Sequence, residues 1–126
     1  MPRILLVEDD KPNRDILTRR LTRSGYTVLT AATGEEARNV ATAELPDVVL
    51  MDVGLPDYDG WEITRQLRAN PATQELPIIA LTGHIMPDER ESAIAAGCND
   101  FHAKPVEFTR LLQQISAFVP KGDASC

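Results

Sequence analysis

The sequence predicts an α/β protein in which a five-stranded parallel sheet carries helices on both faces. Short apolar runs alternate with longer segments of helical period from end to end, and strict βα alternation with right-handed crossovers winds a parallel sheet in both directions. The chain has 126 residues, of which 43% are hydrophobic. That is enough for one domain with a proper core and too little for two.

Each element has its own justification. The first run, Ile4 to Val7, is a strand, and Pro12 to Ser24 is a helix closed by Gly25. Thr27 to Thr30 is the second strand and Gly34 to Ala43 the second helix. Val48 to Met51 is unbroken and aliphatic, as a strand buried on both faces must be, and it ends on Asp52 before the turn Val53-Gly54-Leu55-Pro56. Asp59 to Asn70 is a helix stopped by Pro71. Ile78 to Leu81 is the fourth strand, and Pro87 to Ala96 is the fourth helix, closed by Gly97. Asp100 to Ala103 is a weaker fifth strand. Glu107 to Phe118, closed by Pro120, is the fifth helix; it sets Phe108, Leu111, Leu112, Ile115 and Phe118 at three- and four-residue steps, a stripe that packs on a sheet. Repeats, low-complexity tracts and linkers are absent. One domain's worth of this winding is a doubly wound, flavodoxin-like (βα)5 sandwich. The last six residues, 121–126, are polar and expected to fray.

Charge and composition exclude several classes of function. The net charge of −6 argues against phosphate-backbone binding, which needs clustered Lys and Arg, so nucleic acid is not an expected direct partner. No apolar stretch approaches the roughly 20 residues that span a bilayer. The start, Met1-Pro2-Arg3-Ile4-Leu5-Leu6-Val7, lacks a signal-peptide cleavage pattern, and a cytoplasmic protein is expected. Cys98 and Cys126 have no motif spacing, fit a reducing compartment and receive no role.

The strand ends carry the chemistry. In a parallel sheet every strand leaves the core at the same edge, where open α/β sheets bind ligands. An isolated Asp before a Gly/Pro turn is ordinarily a strand-stopping residue, and Glu8-Asp9-Asp10 alone could be an acidic helix N-terminus. Together they place carboxylates from two strands, about 5 Å apart when adjacent, on one edge. Converging carboxylates repel unless a cation neutralises them, and an all-oxygen set suits a hard ion such as Mg²⁺. The fourth strand ends on Thr82 before Gly83, and the fifth is followed by Lys104-Pro105. A strand-terminal Thr or a Lys before Pro is bland by itself. With the acids, and with no thiol, Ser-His pair or glycine-rich phosphate loop at that edge, they make a set suited to phosphoryl chemistry.

Glu8-Asp9, Val48 to Gly60, Leu81-Thr82-Gly83 and Lys104-Pro105 resemble the signature of two-component response-regulator receiver domains, in order and over nearly the whole chain, from Arg3 to about Phe118. The resemblance implies a receiver domain over residues 1–120 with a short tail at 121–126 and no output domain, a stand-alone regulator. It implies that Asp52 accepts phosphate from a histidine kinase or histidine phosphotransfer protein. Mg²⁺ would be held by Asp9, Asp52, the Gly54 carbonyl and, through water, Glu8. Lys104 would pair with the phosphoryl group, Thr82 would hydrogen-bond it, and Phe101 falls at the aromatic switch position. The surface of the fourth helix, fifth strand and fifth helix, roughly 87 to 118, would then change and be read by a downstream protein, with Ile85 and Met86 as candidate additions; loop packing is the blander account of both. A monomer or a phosphorylation-promoted homodimer fits, and the chain would act as a phosphoacceptor rather than an enzyme on other substrates.

Glu8 stands where the family more often has Asp. Gly54 and His84, two positions beyond Asp52 and Thr82, resemble the variable positions that govern access to the phosphoryl group, so they are candidates for tuning its lifetime; a solvated loop imidazole is the blander account of His84. His102, alternating with Phe101, is expected at the surface; Asp57 is expected to close the turn after Pro56, and Asp59 or Gly60 to cap the third helix. Trp61, the only tryptophan, is expected on the active-site side. Two other functions fit less well. A haloacid-dehalogenase-like phosphatase has its Asp nucleophile after the first strand in an Asp-x-Asp motif, and here that position reads Glu8-Asp9-Asp10. A phosphorylation-independent adaptor typically has lost part of the acid-Thr-Lys set, which is complete here. Flavin binding lacks a Ser/Thr/Gly-rich cradle.

Overall fold

The five apolar runs form five parallel strands. The computed structural model describes residues 2–52, 60–82, 97–103 and 106–118, and at 60, 61, 82 and 103 the main chain only. In chain order the elements are β1 (Arg3–Val7), α1 (Lys11–Arg23), β2 (Thr27–Ala31), α2 (Gly34–Glu44), β3 (Val48–Asp52), α3 (Gly60–Ala69), β4 (Ile78–Thr82), β5 (Asp100–Ala103) and a C-terminal helix (Phe108–Ser116). The expected fourth helix, Pro87 to Ala96, and the 121–126 tail lie outside the described residues.

Strand order is β2-β1-β3-β4-β5, the doubly wound arrangement, with β3 in the middle. Because successive side chains point to opposite faces, β1 sends Leu5 and Val7 to one side and Ile4 and Leu6 to the other. The first pair joins Ala37 and Ala41 of α2, Ile63 and Leu67 of α3, and Val49 and Met51 in one buried cluster. The second joins Leu17 and Leu21 of α1, Leu111 and Ile115 of the C-terminal helix, and Val48, Leu50, Ile79 and Leu81 in the other. All five residues of β3 are buried, as its unbroken aliphatic sequence requires.

Three of the described helices begin on side chains that take up their first amides. Asp10 accepts from Asn13 N at 3.0 Å at the start of α1, Thr33 from Glu36 N at 3.1 Å at α2, and Glu107 from Arg110 N at 3.2 Å at the C-terminal helix. Gly25, just past α1, takes φ of 98°, the left-handed turn that favours glycine. The C-terminal stripe packs as its spacing indicates: Leu111 and Ile115 are fully buried, while Phe108, Leu112 and Phe118 flank them.

His102 corrects one expectation. It is fully buried rather than at the surface, because its partner across the ladder is Leu81, whose side chain points toward the C-terminal helix. Phe101 pairs with Ala80, faces the opposite side and is partly buried.

Candidate functional site

The acidic edge follows directly from strand register. Val7 pairs with Met51, so the next residues along the two strands, Glu8 and Asp52, are neighbours. Glu8 extends the β1 ladder by one bond, donating its N–H to the Ala31 carbonyl at 3.0 Å. Its carboxylate Oε2 accepts from Asp10 N at 3.3 Å, which ties the β1–α1 turn to the cluster. Arg14, one turn into α1, donates Nη1 to the Glu8 carbonyl at 2.9 Å; this clamp was not foreseen from sequence, and its signal would have been an Arg one helical turn beyond a capping Asp.

Glu8, Asp9 and Asp52 each bring a carboxylate oxygen within 4.8 Å of the other two. Glu8 is 2% and Asp52 5% exposed, whereas Asp9 is exposed, so the cluster is enclosed below and open toward solvent. Three carboxylates so close concentrate negative charge in a partly desolvated corner, and an all-oxygen donor set of this size fits a hard divalent cation such as Mg²⁺. Asp10, the third acid of the run, does not join them; it is the α1 cap.

The hydroxyl and ammonium side of the edge is placed by main chain alone. Asp52 pairs with Leu81 across β3 and β4, and Thr82 with Ala103 across β4 and β5, so Thr82 ends its strand beside Asp52, and Lys104 follows Ala103 in sequence. The Thr82 side chain, Lys104, Gly54 and His84 lie outside the described residues, as do Asp57, Asp59, Ile85, Met86 and the side chain of Trp61.

A five-stranded parallel sheet with an acid cluster at the carboxyl end of its central strands defines a doubly wound α/β domain with a candidate cation site at that edge. The model of the response regulator receiver domain matches residues 4–116, and the chain belongs to that family, the signalling phosphoacceptors of two-component systems. Receiver domains take phosphoryl groups from histidine kinases and bind Mg²⁺ in their acidic site. An uncharacterized 14.6 kDa protein of Leptolyngbya boryana is 38% identical over 120 residues, 93% of this chain and 92% of that one. The transcriptional regulatory protein AfsQ1 of Streptomyces coelicolor is 37% identical over 123 residues, 98% of this chain and 53% of that one; this chain thus spans about half the length of such a regulator. Among solved structures, the receiver domain of the sensor histidine kinase PA1611 from Pseudomonas aeruginosa PAO1, with a magnesium ion coordinated in its active site cleft, has a TM-score of 0.86 at 37% identity, over 93% of this chain and 96% of that one. No helix among the described residues is long and apolar enough to cross a membrane.

Proposed function

We propose that Asp52 is the phosphoacceptor and that this chain passes a two-component or phosphorelay signal by changing which proteins bind it. The observation that carries this reading is the buried Asp52 carboxylate at the end of the central strand, within 4.8 Å of Glu8 and Asp9. An Asp52 oxygen attacks the phosphorus of a phosphohistidine; an O–P bond forms, the P–N bond breaks, and the imidazole nitrogen keeps the electron pair and takes a proton. The product is an aspartyl phosphate, and hydrolysis returns the carboxylate and inorganic phosphate. Bound Mg²⁺ would neutralise charge on the transferring oxygens. Asp9, Asp52, the Gly54 carbonyl and, through water, Glu8 would hold it, while Lys104 and Thr82 bind the other phosphoryl oxygens.

The phosphoryl group then favours one arrangement of Thr82 and Phe101, and a partner that prefers the resulting 87–118 surface is recruited in proportion to the bias. The donor is a sensor histidine kinase or a histidine phosphotransfer protein, met in the cytoplasm. Intact mass after incubation with acetyl phosphate and Mg²⁺ tests the assignment: one phosphoryl adduct is expected in the wild type, and none in Asp52→Asn or after chelation. An adduct that survives in Asp52→Asn would place the acceptor elsewhere.

A further inference from the structure

His102 is a fully buried, hydrogen-bonded histidine for which the phosphoryl chemistry has no direct use. Its Nε2 lies 3.0 Å from the main-chain N of Glu107, which donates to it. A ring nitrogen that accepts holds no proton, so the neutral ring carries its proton on Nδ1, and Nδ1–H donates to Gln114 Oε1 at 2.6 Å. That fixes the Gln114 amide. Its Nε2 donates to Asp100 Oδ2 at 3.0 Å and to the Phe101 carbonyl at 2.8 Å, while Asp100 Oδ1 accepts from Phe101 N at 2.8 Å.

The network does two things. The bond from Glu107 to His102 ties the start of the C-terminal helix to the end of β5, the two elements that flank Lys104 in the sequence. The Gln114 amide and the Asp100 carboxylate take both main-chain polar groups of Phe101, the proposed switch residue. An apolar side chain would fill the same space on this face of the sheet. It would leave the Glu107 amide and the Gln114 carbonyl oxygen without these partners.

We propose that His102 is a positioning residue: through Glu107 and Gln114 it holds the segment that presents Lys104 and Phe101 to the phosphoryl group. This rests on the phosphoacceptor reading above, and the test separates the two. The 126-residue wild type, His102→Leu, His102→Gln and Gln114→Leu are phosphorylated by acetyl phosphate at saturating Mg²⁺, with Mg²⁺ affinity and urea midpoint measured for each. His102→Leu is expected to lower the phosphorylation rate about tenfold, as misplacement of a binding group does. Its Mg²⁺ affinity should stay within about twofold, because Glu8, Asp9 and Asp52 stand on β1 and β3, apart from this network. His102→Gln, whose Oε1 can accept from Glu107 N, should recover most of the rate, and Gln114→Leu should fall severalfold.

A folded His102→Leu and a Gln114→Leu that both react within about twofold of wild type, losing only urea resistance, would overturn the proposal. So would a loss of Mg²⁺ affinity in step with the rate. If His102→Leu does not fold, Gln114→Leu decides on the same criterion. Failure of the underlying reading looks different: the wild type itself would give no Asp52-dependent adduct from either acetyl phosphate or a phosphorylated histidine protein.

Discussion

Thr73 is a residue whose setting outweighs its chemistry. It is fully buried and donates its hydroxyl to the Leu67 carbonyl at 2.6 Å, reinforcing a carbonyl in the last turn of α3 whose main-chain bond, from Asn70 N, is long at 3.3 Å. Thr73→Val keeps the shape and removes the donor, so unfolding in urea should show a loss of about 1–3 kcal/mol; an unchanged midpoint would mean that water replaces the hydroxyl. Such residues are hard to read from sequence, because Pro71-Ala72-Thr73 looks like any polar loop. Glu8, Asp9 and Asp52 were legible for the opposite reason: each lies at or just beyond a strand end, and parallel strands share an exit edge. His102 was misread because a four-residue strand counted alone does not say which face is covered. Only its pairing with Leu81 puts it under the C-terminal helix.

Between elements, α3 and the approach to β5 are joined by one arginine. Arg68 donates Nε to the Gly97 carbonyl at 2.9 Å, Nη1 to the Gln74 and Leu76 carbonyls at 2.9 and 2.7 Å, and Nη2 to Asn99 Oδ1 at 2.7 Å. Gly97 has φ of 104°, and a Cβ there would lie 2.8 Å from Arg68 Cγ, so conformation and close approach both call for glycine. Beside it, burial pushes the Cys98 thiol above its ordinary range, while a bond to the Thr64 hydroxyl and the Arg68 charge pull it partly back. A group held protonated in the fold stabilises fully below its unfolded pKa, and that contribution is lost as pH rises past it, here above about pH 8.5. Burial moves Tyr26 in the same direction, at higher pH. The urea midpoint should therefore fall from pH 7.5 to pH 10 by more in the wild type than in Cys98→Ala; parallel declines would show that the thiol contributes nothing. The strands and described helices themselves were legible from apolar period and closing residues. The Arg68 junction was not, since it joins residues about thirty positions apart.

At the scale of the whole molecule, the alternation of runs was sufficient to give class, strand number and direction, because short βα connections leave few topologies open. Strand order adds a consequence of another kind. Residues 3–52 hold β2, β1 and β3 as one contiguous block, and residues 78–103 hold β4 and β5 as another; among the described residues the blocks are laddered together only between β3 and β4, from Val49 with Ile78 to Asp52 with Leu81. A single break in the backbone between 52 and 60 would thus leave every other strand pair within one fragment. It would also part the proposed chemistry, acids on one piece and Thr82 and Lys104 on the other. Co-expressed halves should therefore complement one another, each inert alone and together regaining the Mg²⁺-dependent adduct. The receiver would then serve as a split reporter, whose phosphorylation records that its two halves have assembled.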